Sequence, residues 1–121
     1  MNVRNLLLML LLGGAVWAAM SWWQGREVTL QADDPRLLTG DKGIVMLAAE
    51  WCGYCRQQRK DFELAGVLYR VLDVDTEEGS RAASALGTRG VPVTVVGQQV
   101  IEGYDTALLH RNLLPLGYRV Y

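Results

Sequence analysis

Ile44-Val45-Met46-Leu47-Ala48-Ala49-Glu50-Trp51-Cys52-Gly53-Tyr54-Cys55 is the stretch that decides the fold. Its first six residues form a continuous apolar run, the mark of a strand buried on both faces. From Cys52 to Ala65 the chain turns to helix formers, with Cys55, Phe62, Leu64 and Ala65 supplying the apolar face. Both cysteines therefore fall where a buried strand gives way to a helix. In open α/β sheets the crevice beyond the carboxyl ends of the strands is where ligands bind.

Working outward, Val67 to Val74, interrupted by Arg70 and Asp73, reads as a second buried strand. Asp75 followed by Glu78 is a helix-start signature, with Asp75 as the cap, and Gly87 is a natural stop after Leu86. Val93-Thr94-Val95-Val96, Gly97-Gln98 and Gln99-Val100-Ile101 read as a hairpin closed by a tight turn. Asp105 or Thr106 caps a last helix that ends before Pro115. The expected order is βαβαββα, an α/β domain over residues 43–121 with a mixed four-stranded sheet. A helical crossover makes the first two strands parallel, and the hairpin makes the last two antiparallel. Residues 24–42 contain Asp33-Asp34-Pro35 and Thr39-Gly40-Asp41 and read as a linker, with Val28-Thr29-Leu30 as a candidate extra strand.

The chain of 121 residues has room for one small domain. Its 12 basic and 13 acidic side chains leave a charge of −1, which provides no electrostatic footprint for nucleic acid. Half the residues are apolar, too many for a disordered chain. With two cysteines and one histidine, a disulfide-stapled mini-protein, a four-cysteine zinc site and a Cys/His metal cluster are all disfavoured.

Part of the apolar content lies in residues 1–23. Leu6 to Trp23 is free of charge for eighteen residues, about 27 Å as a helix and close to the thickness of a hydrocarbon core. Arg4 and the α-amino group precede it, whereas Glu27, Asp33 and Asp34 follow Arg26. That asymmetry favours an N-in orientation with the domain outside the cytoplasm. A cleaved signal peptide finds only a poor cleavage site near Val16-Trp17-Ala18. Trp17, Trp22 and Trp23 resemble interfacial anchors, which favours a retained membrane anchor.

The offset between Cys52 and Cys55 suits dithiol chemistry. Cys52 is expected in an exposed first turn with its sulfur near free backbone N–H groups; Cys55 falls one turn on, on the same side, within bridging reach. The positive end of the helix favours a thiolate on Cys52 and makes it the attacking sulfur, while the deeper Cys55 stays a thiol until a mixed disulfide forms. Arg56 adds positive potential or serves as solubilising surface. Trp51, Gly53 and Tyr54 are candidate substrate-binding residues, with packing alone as the other reading of Trp51. A structural disulfide closing so short a loop contributes little entropy. A Cu(I) carrier would use the same two thiolates, although such pairs sit in loops beside a methionine. Chance pairing is the remaining alternative. Gly90-Val91-Pro92 is the second element, because Pro marks a strand's start or edge. If Val91–Pro92 is cis, it turns the Val91 backbone outward beside Cys52 to pair with an extended substrate; the alternative is an ordinary trans turn proline.

Residues 44–114 resemble the thioredoxin superfamily. Ala49-Glu50-Trp51-Cys52-Gly53-Tyr54-Cys55 looks like the thioredoxin active-site string with Tyr54 in place of proline, and its Cys-Gly-Tyr-Cys quartet is similar to that of periplasmic disulfide isomerases. Gly90-Val91-Pro92, Val95-Val96-Gly97 and Gly103-Tyr104-Asp105 look more like a glutaredoxin, as does the minimal element order. The resemblance implies a thioredoxin-like fold, with Cys52 the nucleophile, Cys55 the resolving thiol and Val91–Pro92 a cis-proline substrate platform. The chain departs from these patterns in three further places. Met46 stands where thioredoxins bury an aspartate; Ala48-Ala49-Glu50 lacks the basic residue that glutaredoxins place before the first cysteine; Glu102-Gly103 replaces a Gly-Gly pair. Asp105 fits a glutathione amine or a helix cap, and the cap is the simpler account. Asp73 and Asp75 resemble the family's strand-end acids, and His110 reads as surface or core filler.

The sequence thus leads us to expect an exported, membrane-anchored thiol–disulfide oxidoreductase acting on cysteine-containing extracytoplasmic proteins. It would need no bound cofactor and would draw electrons from an upstream dithiol donor. Reductant is the first expectation, with disulfide isomerase and glutathione-dependent reductase as alternatives. The non-enzyme alternative is a redox-inactive adaptor or metal carrier.

Overall fold

The computed structural model describes residues 2–24 and 30–121. Helix α1, Val3–Gln24, comes first. Its stretch Val3–Trp22 is long and apolar enough to cross a membrane, and none of it is buried. Of the candidate extra strand, residues 28 and 29 lie outside the described residues, and Leu30 is in no strand.

The remaining elements are α2 (Arg36–Thr39), β1 (Ile44–Ala48), α3 (Gly53–Leu64), β2 (Arg70–Asp73), α4 (Glu77–Leu86), β3 (Val93–Val96), β4 (Gln99–Glu102) and α5 (Thr106–Leu113), followed by a 3-10 turn at Leu114–Leu116. The four strands lie in the order β2-β1-β3-β4. β1 pairs parallel with β2 and antiparallel with β3, and β3 pairs antiparallel with β4. This is the mixed sheet and the βαβαββα order expected from the pattern.

Every residue of β1 is buried, as a continuous apolar run requires of a central strand. Its side chains alternate between two layers. Ile44 packs with Phe62 of α3 and with Leu109 and Leu113 of α5. Val45 and Leu47 pack with Leu72, Val93, Val95 and Ala82 of α4 on the other face. Met46, Ala48 and Ala49 form a third cluster with Cys52 and Cys55.

Several boundaries differ from the sequence expectation. β2 begins at Arg70 rather than Val67, because Val67 N–H is bonded to Phe62 O at the end of α3. Asp75 does not cap α4. Thr76 does, its hydroxyl accepting from Gly79 N–H at 3.2 Å. Leu64 is exposed and Gln58 is buried, so the inward face of α3 is Cys55, Gln58 and Phe62. The segment read as a linker contains α2. Asp34 is buried and paired with Arg36 at 2.6 Å, and Gln98 Nε2 donates to the carbonyls of Arg36 and Gly40. Asp105 caps α5 by accepting from Leu108 N–H, and Gly87 ends α4 at φ 69.

Candidate active site

At the carboxyl end of β1 the chain leaves the sheet through Ala49, Glu50 and Trp51 and enters α3 at Cys52. Cys52 is the N-cap, with extended backbone at φ −88 and ψ 114. Its Sγ takes the place usually filled by a capping oxygen and accepts Cys55 N–H at 3.1 Å. The sulfur therefore sits where free amides and the helix dipole favour negative charge. Cys52 and Cys55 are joined by a disulfide, with their Cα atoms 5.2 Å apart. The expected depth order holds, at 7% exposure for Cys52 against 1% for Cys55, but Cys52 is far less open than a first-turn residue was expected to be. Ala49 shares its cluster, and Val74 and Val91 pack against that cluster.

The Val91–Pro92 peptide is cis. Cys52 Sγ lies 3.8 Å from the Val91 carbonyl oxygen, so the cysteine pair and the Gly90-Val91-Pro92 element converge as expected. Gly103 N–H donates to Pro92 O at 2.8 Å, fastening that element to the end of β4. A groove of about 410 Å³ runs from there, lined by Gly87 to Val91, Val93, Glu102 and Gly103, and carries one cation, Arg89, and one carboxylate, Glu102.

The rim is aromatic. Trp51 is 69% exposed and Tyr54 67% exposed, flanking the sulfurs, with exposed Gly53 between them in the chain. Trp51 Nε1 donates to Asp75 Oδ2 at 2.9 Å, which is the role Asp75 takes instead of capping α4. Asp73 Oδ1 in turn accepts Asp75 N–H. Tyr54 stacks on Tyr104 with ring centroids 5.8 Å apart. The hydroxyls of Tyr104 and Tyr121 both donate to Asp61 Oδ2, and Gln57 Nε2 donates to Asp61 Oδ1. Burial alone would raise the Asp61 carboxyl, but the hydrogen bonds from Tyr104, Gln57 and Tyr121 outweigh it and hold the group below the usual carboxylate range. Burial, reinforced by the Asp61 charge, pushes both tyrosine hydroxyls upward.

Arg56 Nη1 donates to Glu50 O at 2.6 Å, so its guanidinium is folded back over the strand–helix turn. Met46 places a thioether in the cluster around Cys52 and Cys55, where an acid stands in the thioredoxin pattern. His110 sits on α5 with its Nδ1 enclosed, and it takes no part in the contacts at the sulfurs. Sequence reasoning missed Asp61, Tyr104 and Gln58 as neighbours of the motif. The only signal for Gln58 was its helical spacing, three residues after Cys55 and four before Phe62.

A mixed four-stranded sheet, a Cys-x-x-Cys pair capping the helix after the central strand and a cis-proline facing the first sulfur together define a thioredoxin-superfamily redox protein. The glutaredoxin family model matches residues 44–101. A glutaredoxin from Ricinus communis is 32% identical over 87 residues, 65% of this chain and 85% of the relative. Glutaredoxin-2, mitochondrial, from Rattus norvegicus is 32% identical over 109 residues, 84% of this chain and 69% of the relative. Among solved structures, a buckwheat glutaredoxin–glutathione complex aligns with a TM-score of 0.55 and 27% identity, covering 67% of this chain and 81% of that one. The chain belongs to the glutaredoxin family. It is a glutaredoxin-like thiol redox protein with thiol–disulfide oxidoreductase activity.

Proposed function

We propose that the protein is exported, held to the membrane by α1, and reduces disulfides in extracytoplasmic proteins. The observation that carries the chemistry is the Cys52 sulfur at the N-cap of α3, accepting Cys55 N–H at 3.1 Å and bridged to Cys55. The Cys52 thiolate attacks a partner disulfide. A Cys52–partner bond forms, and the partner's other sulfur leaves as a thiolate that takes a proton from water. Cys55 then attacks the Cys52 sulfur, and the first partner sulfur departs with the Cys55 proton as the Cys52–Cys55 bridge closes. The partner gains two electrons and two protons, and an upstream dithiol returns them to the bridge. Trp51, Gly53 and Tyr54 form the rim against which the partner chain lies, and Val91 and Pro92 present backbone for it to pair with. Export is supported by the apolar length of α1 with Arg4 before it and acids after it.

The second reading is a glutathione-dependent reductase, favoured by the groove beside Val91 and by family membership. Against it stand Glu102 on the groove wall and Glu50, rather than a base, before Trp51. Insulin reduction by dithiothreitol separates the readings. The dithiol mechanism predicts that Cys52→Ser and Cys55→Ala each abolish catalysis. Glutathione-driven turnover that survives Cys55→Ala would replace it with the second reading, and an isomerase would instead reactivate scrambled substrate without net reduction. Failure of the intact protein in all three assays would leave an adaptor or metal carrier.

A further inference from the structure

Behind the cysteines lies a polar pair that the exchange chemistry above does not use. Gln58 and Thr94 are both fully buried, and Gln58 Nε2 donates to Thr94 Oγ1 at 2.6 Å. Gln58 Oε1, enclosed as well, has no hydrogen-bond partner among the described residues. A buried amide oxygen without a donor carries its full desolvation cost. The position of the pair is fixed from two sides. Gln58 is one turn beyond Cys55 on the inward face of α3, and helical side chains lean toward the N-terminus, over the preceding turn. Thr94 is the cross-strand partner of Met46, which packs against Cys55 in one cluster. The Gln58–Thr94 pair therefore shares the buried layer of Met46 and Cys55. In the bridged state the Cys55 sulfur has no hydrogen to offer.

We propose that Gln58 is a positioning residue for the redox reaction: its Oε1 accepts the Cys55 S–H once the bridge is reduced, stabilising the dithiol relative to the disulfide. The inference deepens the oxidoreductase reading and rests on it. Reduction takes two electrons and two protons from a partner dithiol, which becomes a disulfide. One proton settles on Cys55, and the other settles on Cys52 or, where Cys52 remains a thiolate, in solvent. The Cys55 proton is the donor that Gln58 lacks in the oxidised protein. Thr94 holds the amide in place through its other end. Met46, in the same cluster as Cys55, offers only a thioether, a weak acceptor, whereas the unpartnered Gln58 Oε1 is a strong one.

The decisive measurement is the infrared S–H stretch. The chain has two cysteines, so Cys52→Ala leaves Cys55 as the sole thiol, and its band reports its own hydrogen bond. The band is expected below that of an alkanethiol in apolar solvent, and it should return toward that value when Gln58→Met is added. A band at the free-thiol position in the protein that retains Gln58 overturns the proposal, even if Gln58→Met fails to fold. In the intact dithiol protein, equilibration against a glutathione buffer should move about fivefold toward the disulfide in Gln58→Met, the worth of one net hydrogen bond and about 20 mV for a two-electron couple. An unchanged equilibrium constant also overturns it. Neither readout depends on turnover, so a displaced band together with no insulin reduction by the intact protein would refute the reductase reading and leave the hydrogen bond standing.

Discussion

Tyr54 stands beside Cys52 with its ring on Tyr104, and Tyr104 is held in turn by Asp61, one carboxylate that also receives Tyr121 and Gln57. A rim residue that is two-thirds exposed thus has a fixed pose, because its support is half-buried and fully hydrogen-bonded. Removing the support should affect partner binding more than sulfur chemistry. Tyr104→Ala is expected to raise KM for a protein disulfide by up to about tenfold, the range of one aromatic pair, with kcat nearly unchanged in steady-state assays. At the other end of the sheet, the hydrogen bond and charge of Arg36 hold the buried Asp34 carboxyl below its ordinary value. A depressed carboxylate contributes stability that is complete above the unfolded value of about 4 and is lost as pH falls through the lower folded value. Asp34→Asn should therefore cost about 2 kcal/mol near neutrality. Its deficit against the parent should narrow steadily below pH about 4 in urea titrations.

At the scale of elements, α4 is the one whose seating depends most on a single missing side chain. A Cβ on Gly79 would collide with the Asp73 carbonyl at the end of β2, so the helix approaches the strand by a route open only to glycine. Gly79→Ala is expected to cost about 2–3 kcal/mol through forced displacement, and Thr76→Ala about 1 kcal/mol through loss of the cap, both read from the urea midpoint. Local patterns made much of this architecture legible. The apolar run of β1, the Gly97-Gln98 turn, Gly87 and Asp105 are signals carried by neighbours in the chain. What stayed hidden depends on contacts between distant residues. Asp75 looked like a cap because nothing local indicates that Trp51, twenty-four residues earlier, supplies it with an indole N–H. Leu64 looked inward by hydrophobicity, but spacing from Cys55 and Phe62 puts Gln58 inside, and the Thr94 hydroxyl makes that burial tolerable. At α2, Thr39 and the preceding Pro35 are buried and Gln98 reaches back from the hairpin, although turn-rich composition gave residues 24–42 the look of a spacer.

For the molecule as a whole, α1 separates two environments on the proposed reading, and its test is topological. An alkaline phosphatase fused after Tyr121 should be active in intact bacterial cells and sediment with membranes. An inactive fusion would place the domain in the cytoplasm, and activity in the soluble fraction would mean that the leader is cleaved. The domain's own geometry bears on how such a tether would work. Thr39 Oγ1 donates to Gly97 O, and Gly97 N–H donates to Gly43 O, so the incoming chain is clamped where β1 starts, whereas Cys52 follows the point where β1 stops. The mooring and the reactive sulfurs therefore occupy opposite poles, about 16 Å of strand apart. A leash attached at that pole can be short and still leave the sulfurs facing outward, clear of whatever grips its far end.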